Sequence, residues 1–343
     1  MKSIEIYFFS GTGNAKRIAL WINHQAQKHL IPCHLHNIAH IKFKSFEVPE
    51  KGSSIFIISP IHGFNFPKIT LDFIRNFPKG SNQVVLMNTR GGMKIGNWVT
   101  PGLTGIAFFL SSLWLKIKGY TIQGQIPYDM PSNWISLHPA IRPKASGFIH
   151  EVIKNRVEKH CEMLFRGNNL FISRREIIQD VLIAPISFLY YFFGRFFLAK
   201  TFYASHHCDN CGICIKDCPV DAIVEVNGRP FWTHKCENCM HCMNNCPQNA
   251  IEVSNVLGIV SFLVYSIVTA IIFRFLSFDF QLGVIAKFLV TNLIFFLILY
   301  FLYYIQHQIL RNNFIAKLIA HSSLTFYKFW GRYKSMVTKD KKK

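Results

Sequence analysis

Eight of the ten cysteines fall into two copies of one spacing, Cys208-x2-Cys211-x2-Cys214-x3-Cys218-Pro219 and Cys236-x2-Cys239-x2-Cys242-x3-Cys246-Pro247. The copies begin 28 residues apart, and each ends in Cys-Pro with a later Ala-Ile. Three thiolates this close on a tight loop reach three irons of one cubane, and the fourth leaves on the next turn. The proline has no N–H to donate and turns the chain away after that fourth cysteine. Structural zinc is the competing reading. Zinc fingers and ribbons pair Cys-x2-Cys motifs across a long spacer instead of placing three cysteines on each loop. Ile213, Val220, Ile223 and Ile251 would shield the metal from water, or simply pack as core. Asn227-Gly228 between two apolar stretches predicts a small hairpin between the copies.

The pattern resembles the bacterial two-cluster ferredoxins, with all eight ligands and both prolines present. In that family the fourth cysteine of each copy ligates the other copy's cluster. The resemblance therefore implies one [4Fe–4S] cluster on Cys208, Cys211, Cys214 and Cys246, and a second on Cys236, Cys239, Cys242 and Cys218. Cys33 and Cys161 lie outside the pattern and read as ordinary reduced thiols. A disulfide scaffold belongs to short secreted chains. Here residues 4–9 look like a strand, not a signal peptide, so cytoplasmic, reduced cysteines fit better.

Residues 1–170 alternate short apolar runs with helical patterns. Strands are expected at 4–9, 54–59 and 84–88, with weaker candidates at 33–37 and 120–126. Helices are expected at 15–28, 69–77, 103–115 and 140–165. This alternation predicts an α/β domain with a parallel sheet covered on both faces. Five strands match the flavodoxin-like doubly wound order. After the first strand comes Ser10-Gly11-Thr12-Gly13-Asn14-Ala15, a strand–turn–helix whose N–H groups suit a phosphate. It is neither a dinucleotide fingerprint, since Lys16 stands at the third glycine position, nor a Walker loop. A plain glycine turn is the alternative.

The loop resembles the FMN-phosphate loop of flavodoxins, with Ala15 replacing the last hydroxyl. Pro60-Ile61-His62-Gly63-Phe64 and Asn88-Thr89-Arg90-Gly91-Gly92 follow the third and fourth strands, and the resemblance places both beside the isoalloxazine ring. All three loops would lie at the carboxyl ends of the strands, where open α/β sheets bind ligands. Phe64, Phe66 or Trp98 would stack on the flavin or pack as ordinary aromatics, and 128–134 would cap the site. Together, the two halves look like the flavodoxin–ferredoxin fusion proteins, which join FMN to two clusters.

Half of the chain is hydrophobic, with 33 Phe, and Lys plus Arg total 38 against 18 acids. That excess suits nucleic acid or an anionic membrane. The hydrophobicity favours the membrane, and no nucleic-acid motif is present. Residues 256–273 carry no charge and 284–305 carry one, Lys287. Each approaches spanning length, so a transmembrane hairpin is expected. Residues 306–343 carry nine Lys or Arg against one acid, Asp340. The positive-inside rule then places this tail, and with it the redox domains and both termini, on the cytoplasmic side of a bacterial inner membrane. The tail aromatics Phe326, Phe329, Trp330 and Tyr333 suit an anionic surface. Residues 180–200, interrupted by Pro185, Gly194 and Arg195, predict an amphipathic connector on the membrane surface or between domains. The expected boundaries are 1–170, 171–200, 201–254, 255–306 and 307–343.

The expected function is electron carriage between FMN, the clusters and a redox protein or quinone, with no catalytic acid or nucleophile. A flavin-dependent reductase of a small substrate and a redox sensor are the alternatives. No nicotinamide fingerprint supports direct NAD(P)H oxidation.

Overall fold

The computed structural model describes residues 2–41, 46, 48–275 and 284–333. Most of the connector at 274–283 and the tail beyond 333 lie outside the described residues. The chain divides into two compact units. One is Met1–Phe192 with Cys239–His241 and Arg332–Lys343; the other is Phe193–Asn238 with Cys242–Gly331.

In the first unit the strands are β1 (Ile4–Phe8), β2 (Cys33–Asn37), β3 (Ser54–Pro60) and β4 (Gln83–Gly92). A two-strand hairpin follows, β5 (Lys94–Ile95) with β6 (Trp98–Val99), then β7 (Thr121–Pro131) and β8 (Leu170–Phe171). The main sheet runs β2-β1-β3-β4-β7-β8. Every neighbour in it is parallel. The first five positions are the flavodoxin-like order, and β8 adds a short edge strand. Helices α1 (Asn14–Lys28), α2 (Lys68–Asn76), α3 (Ala107–Ile117) and α4 (Pro143–Phe165) cover the sheet.

Strand parity explains the two cores. Ile4, Ile6, Phe8, Phe56, Ile58, Val85 and Met87 join Ile18 and Ile22 of α1 and Ile149 and Ile153 of α4. The alternate residues Tyr7, Phe9, Ile55, Ile57, Val84 and Leu86 join Phe73 of α2 and Phe108 and Leu115 of α3. Successive side chains of a strand point to opposite faces, so a sheet buried on both sides reads as a continuous apolar run.

Two expectations change. The turn expected at Asn88–Gly92 is strand, paired from Asn88↔Pro127 to Gly92↔Pro131. Gly91 and Gly92 serve close approach rather than reversal: a Cβ on them would come 2.9 Å from Ser132 Oγ and from the Asp129 carbonyl oxygen. Helix α3 begins later than expected, after Gly105 at φ +66°, because a Cβ there would meet the Phe64 carbonyl oxygen at 2.2 Å. Residues 180–200, expected as an amphipathic connector helix, lie in a helical run. Helix α5 (Ile177–Leu189) keeps Pro185 inside it, runs through a π-helical turn at Tyr190–Gly194 and continues as α6 (Arg195–Thr201).

In the second unit, β9 (Phe202–Ala204) pairs antiparallel with β12 (Ile251–Val253), and β10 (Ile223–Val226) with β11 (Arg229–Trp232). The β10–β11 loop is Asn227-Gly228, at φ +51° and +71°. This is a two-residue primed turn, and it closes the small hairpin expected from the sequence. Short helices α7 (Ile213–Lys216) and α8 (His241–Asn245) each carry a motif cysteine. Long apolar helices α9 (Asn255–Phe275) and α10 (Val284–Ile309) follow, then α11 (Asn313–His321).

The last turns of α10 grip the small sheets. The Trp232 N–H donates to the Tyr303 hydroxyl at 3.0 Å, and His307 Nε2 donates to the Val226 carbonyl at 2.9 Å. Ser254 Oγ donates to Gln306 Oε1 at 2.7 Å. Lys200 is 1% exposed. Its ammonium donates to the Trp232 carbonyl at 2.6 Å and lies 4.4–4.8 Å from the Phe231, Tyr300 and Tyr303 ring centres. A carbonyl and three π faces offset the desolvation of this buried charge.

Candidate functional site: a cysteine-lined cavity and the strand-end loops

One cavity is lined by Cys208, Cys211, Cys214 and Cys246 together. Ile213, Pro230 and Ile251 form part of its apolar wall. Cys246 of the second copy thus lines the same cavity as three cysteines of the first. Burial pushes the Cys214 thiol up to about 12, and Cys208, Cys246 and Cys211 push in the same direction. Iron binding would offset this crowding of sulfurs, because the ligand is the thiolate. Of the other set, Cys218 follows α7, Cys236 is buried after β11, Cys239 precedes α8 and Cys242 lies on it.

The backbone repeats with the sequence. Asn210 and Asn238 have φ +56° and +51°, Gly212 and Met240 +70° and +59°, Asp221 and Asn249 both +48°. Left-handed residues at equivalent positions give both copies the same loop. Asn, Asp and Gly tolerate that region, whereas Met240 holds it at a cost. The Ala222 N–H donates to Cys218 Sγ and the Ala250 N–H to Cys246 Sγ, each at 3.3 Å.

In the first unit, α1 follows an N-cap at Gly13, φ +100°, with no side-chain cap and no acid in its first turn. Ser10 Oγ accepts from the Gly13 N–H at 3.1 Å, and Thr12 Oγ1 accepts from Asn133 Nδ2. Asn14 Nδ2 donates to the Pro131 carbonyl at 3.0 Å, and Asn14 Oδ1 accepts from the Tyr333 hydroxyl at 2.7 Å. Gly11 and Ala15 are buried within the same loop. An uncapped helix N-terminus with orphan N–H groups favours an anion.

The second loop leaves β3 at Pro60. The Ile61 N–H donates to the Thr89 carbonyl at 2.9 Å, and the His62 N–H donates to the Asn65 carbonyl at 2.9 Å. Between them Gly63 and Phe64 take φ +54° and +66°. A Cβ on Gly63 would lie 2.0 Å from the Tyr190 ring, so only glycine fits. Phe66 is 1% exposed in the core, while Trp98 is 57% exposed on β6.

At the end of β4, Asn88, Thr89 and Arg90 are all buried. Asn88 Nδ2 donates to Thr104 Oγ1 at 3.2 Å. Asn88 Oδ1 and the Trp134 indole N–H have no partner among the described residues. An acceptor and a donor buried without partners at the strand ends suit the polar edge of a bound ring. Arg90 is committed elsewhere: Nε donates to Asp129 Oδ1 at 2.6 Å, and Nη1 and Nη2 donate to Glu176 at 2.5 and 2.8 Å. Glu176 stands 86 positions from Arg90, and no local spacing announces the pair.

Cys161 is buried in the sheet–helix core, and burial pushes its thiol up to about 12; Cys33 behaves the same way. Such thiols stay neutral and unreactive.

Residues 207–251 match the family described as 4Fe-4S dicluster domain. Solved structures similar to this chain include the flavodoxin of Fusobacterium nucleatum bound to flavin mononucleotide, at 10% identity and TM-score 0.32, covering 49% of this chain and 99% of that one. Flavodoxin 1 from Bacillus cereus matches at 11% identity and TM-score 0.29, covering 46% and 98%. The rubredoxin oxygen:oxidoreductase of Desulfovibrio gigas matches at 10% identity and TM-score 0.30, covering 47% of this chain and 36% of that one. A search of curated protein sequences gave no match. The strand order and the matched segment define the class: a flavodoxin-like α/β unit fused to a 4Fe-4S ferredoxin-type module.

Among the described residues, three helices are long and apolar enough to cross a membrane: Ile172–Thr201, Asn255–Ile272 and Ala286–Ile309. That is one more than the sequence pattern suggested.

Proposed function

We propose that the chain is a membrane-anchored iron–sulfur flavoprotein carrying electrons between FMN and two [4Fe–4S] clusters. The convergence of Cys208, Cys211, Cys214 and Cys246 on one cavity carries the reading. By the repeat, Cys236, Cys239, Cys242 and Cys218 hold the second cluster. The first-turn N–H groups of α1 take the FMN phosphate, with Ser10 and Thr12 beside them. The loops Pro60–Phe64 and Asn88–Gly92 flank the ring, with Asn88 Oδ1 and the Trp134 N–H at its polar edge.

When bound, FMN exchanges electrons singly or in pairs and each cluster exchanges one, so the chain joins two-electron to one-electron partners. The protein's residues position and tune. The N–H groups of Ala222 and Ala250 neutralise sulfur charge, and Ile213 and Ile251 exclude water. No side chain needs to act as acid or nucleophile.

Helices α9 and α10 form a hairpin in the bacterial inner membrane, with the redox units and both termini cytoplasmic, as the basic tail favours. The partner is a redox protein or a quinone. Anaerobic purification in detergent, with iron, sulfide and flavin analysis, tests the proposal. About eight irons and one FMN per chain are expected. Zinc, or no metal after reconstitution, would overturn it.

A further inference from the structure

Helix α5 has two unlike faces. One is stitched to the first unit. Glu176, at its N-terminal boundary, pairs with Arg90. Asp180 Oδ1 accepts from the Gly105 N–H at 2.8 Å, and Ser187 Oγ donates to the Phe64 carbonyl at 3.1 Å. Just beyond α5, the Tyr190 ring packs on Gly63. Positions 176, 180, 187 and 190 share one helical face. The opposite face is apolar and open: Ile178 is 79% exposed, Leu182 75%, Val181 67% and Ile186 51%. Arg174 and Arg175 stand exposed just before it.

By length and composition this segment resembles a span. The stitched face argues against crossing, because it would carry Glu176, Asp180 and the unit they hold into hydrocarbon. A helix with one polar, anchored face and one aliphatic face lies in the plane of an interface.

The face offers no Trp or Tyr, residues that anchor protein partners, and Arg175 borders it in one groove with Ile178 and Leu182. The same chain carries two helices whose apolar windows are only 11% buried, so its apolar surfaces share one need. The arginine pair complements anionic headgroups.

We propose that α5 is a monotopic seat. Ile178, Val181, Leu182 and Ile186 enter the leaflet of an anionic bilayer, and Arg174 and Arg175 sit at its headgroups. The seat rests on the membrane reading above and not on the flavin. It holds the Gly63–Phe64 turn at the lipid surface.

The test uses the full-length protein in nanodiscs of mixed phosphatidylcholine and phosphatidylglycerol. A photo-crosslinking benzoylphenylalanine replaces Leu182, or Leu293 on α10 as a span control, or Lys154 on α4 as an aqueous control. Intact mass after irradiation identifies what each position captures. Lipid adducts at 182 and 293 should exceed those at 154 by about tenfold. Arg174→Glu with Arg175→Glu should lower the adduct at 182 about fivefold and leave 293 unchanged. Lipid at 293 with none at 182 overturns the seat and spares the membrane reading. A mass equal to a second copy or another protein at 182 also overturns it. No lipid at either position overturns both.

Discussion

Cys246 Sγ accepts a hydrogen bond from the backbone N–H of Ala250 at 3.3 Å, and the relationship recurs between Cys218 and Ala222. Such donors stabilise the more negative, reduced state of a ligated cluster. Ala250→Pro removes one donor. One hydrogen bond of about 1 kcal/mol corresponds to a fall in midpoint potential of roughly 40 mV for a one-electron centre. Redox titration of cluster-loaded protein, with iron content as the control for assembly, checks this.

The shared cavity of Cys208 and Cys246 predicts a failure of additivity. Cys208→Ala and Cys246→Ala should each lower iron from about eight to about four per chain. The double variant should also retain about four, since both changes empty one cluster. A double variant without iron would assign the two cysteines to different clusters.

Arg90 is 5% exposed and holds two carboxylates. Removing one leaves a buried cation short of charge, so Glu176→Ala should destabilise the first unit by about 3 kcal/mol in denaturant unfolding. Arg156 is 3.8 Å from Asp129 with its side chain 44% exposed, so Arg156→Ala should cost under about 1 kcal/mol. Equal effects would show that burial does not set the strength of this network.

Burial, reinforced by Arg17 and Arg156 respectively, lowers His150 and His160 from 6.5 to about 4. The folded unit therefore holds these rings neutral where the unfolded chain protonates them. Their contribution is complete above about pH 6.5 and is lost as pH falls toward about 4. Unfolding free energy should decline across that window. His150→Gln with His160→Gln should flatten the decline, measured by denaturant midpoints at each pH.

Local features were legible in the sequence. The cysteine spacing and the Asn227-Gly228 turn depend on residues a few positions apart, and each carries its own geometry. The apolar runs of β1, β3 and β4 announced a covered sheet for the same reason. Partners far along the chain were not legible. Arg90 reads as a loop residue until Glu176 reaches it. Gly91 and Gly92 read as a turn, although their role is to admit Ser132 and the Asp129 carbonyl. Phe66 is indistinguishable from Phe64 by type, yet one is core and the other stands at a strained turn. The two-residue strand β8 is too short to leave a periodic signal.

The contacts from Tyr303, Gln306 and His307 to the cysteine module leave it no slack. A helix rises about 1.5 Å per residue, so α10 acts as a rigid post, not a tether. Under the proposed membrane anchoring, the cysteine module would stand at one fixed height above the lipid, and a donor or acceptor would have to meet it at that level.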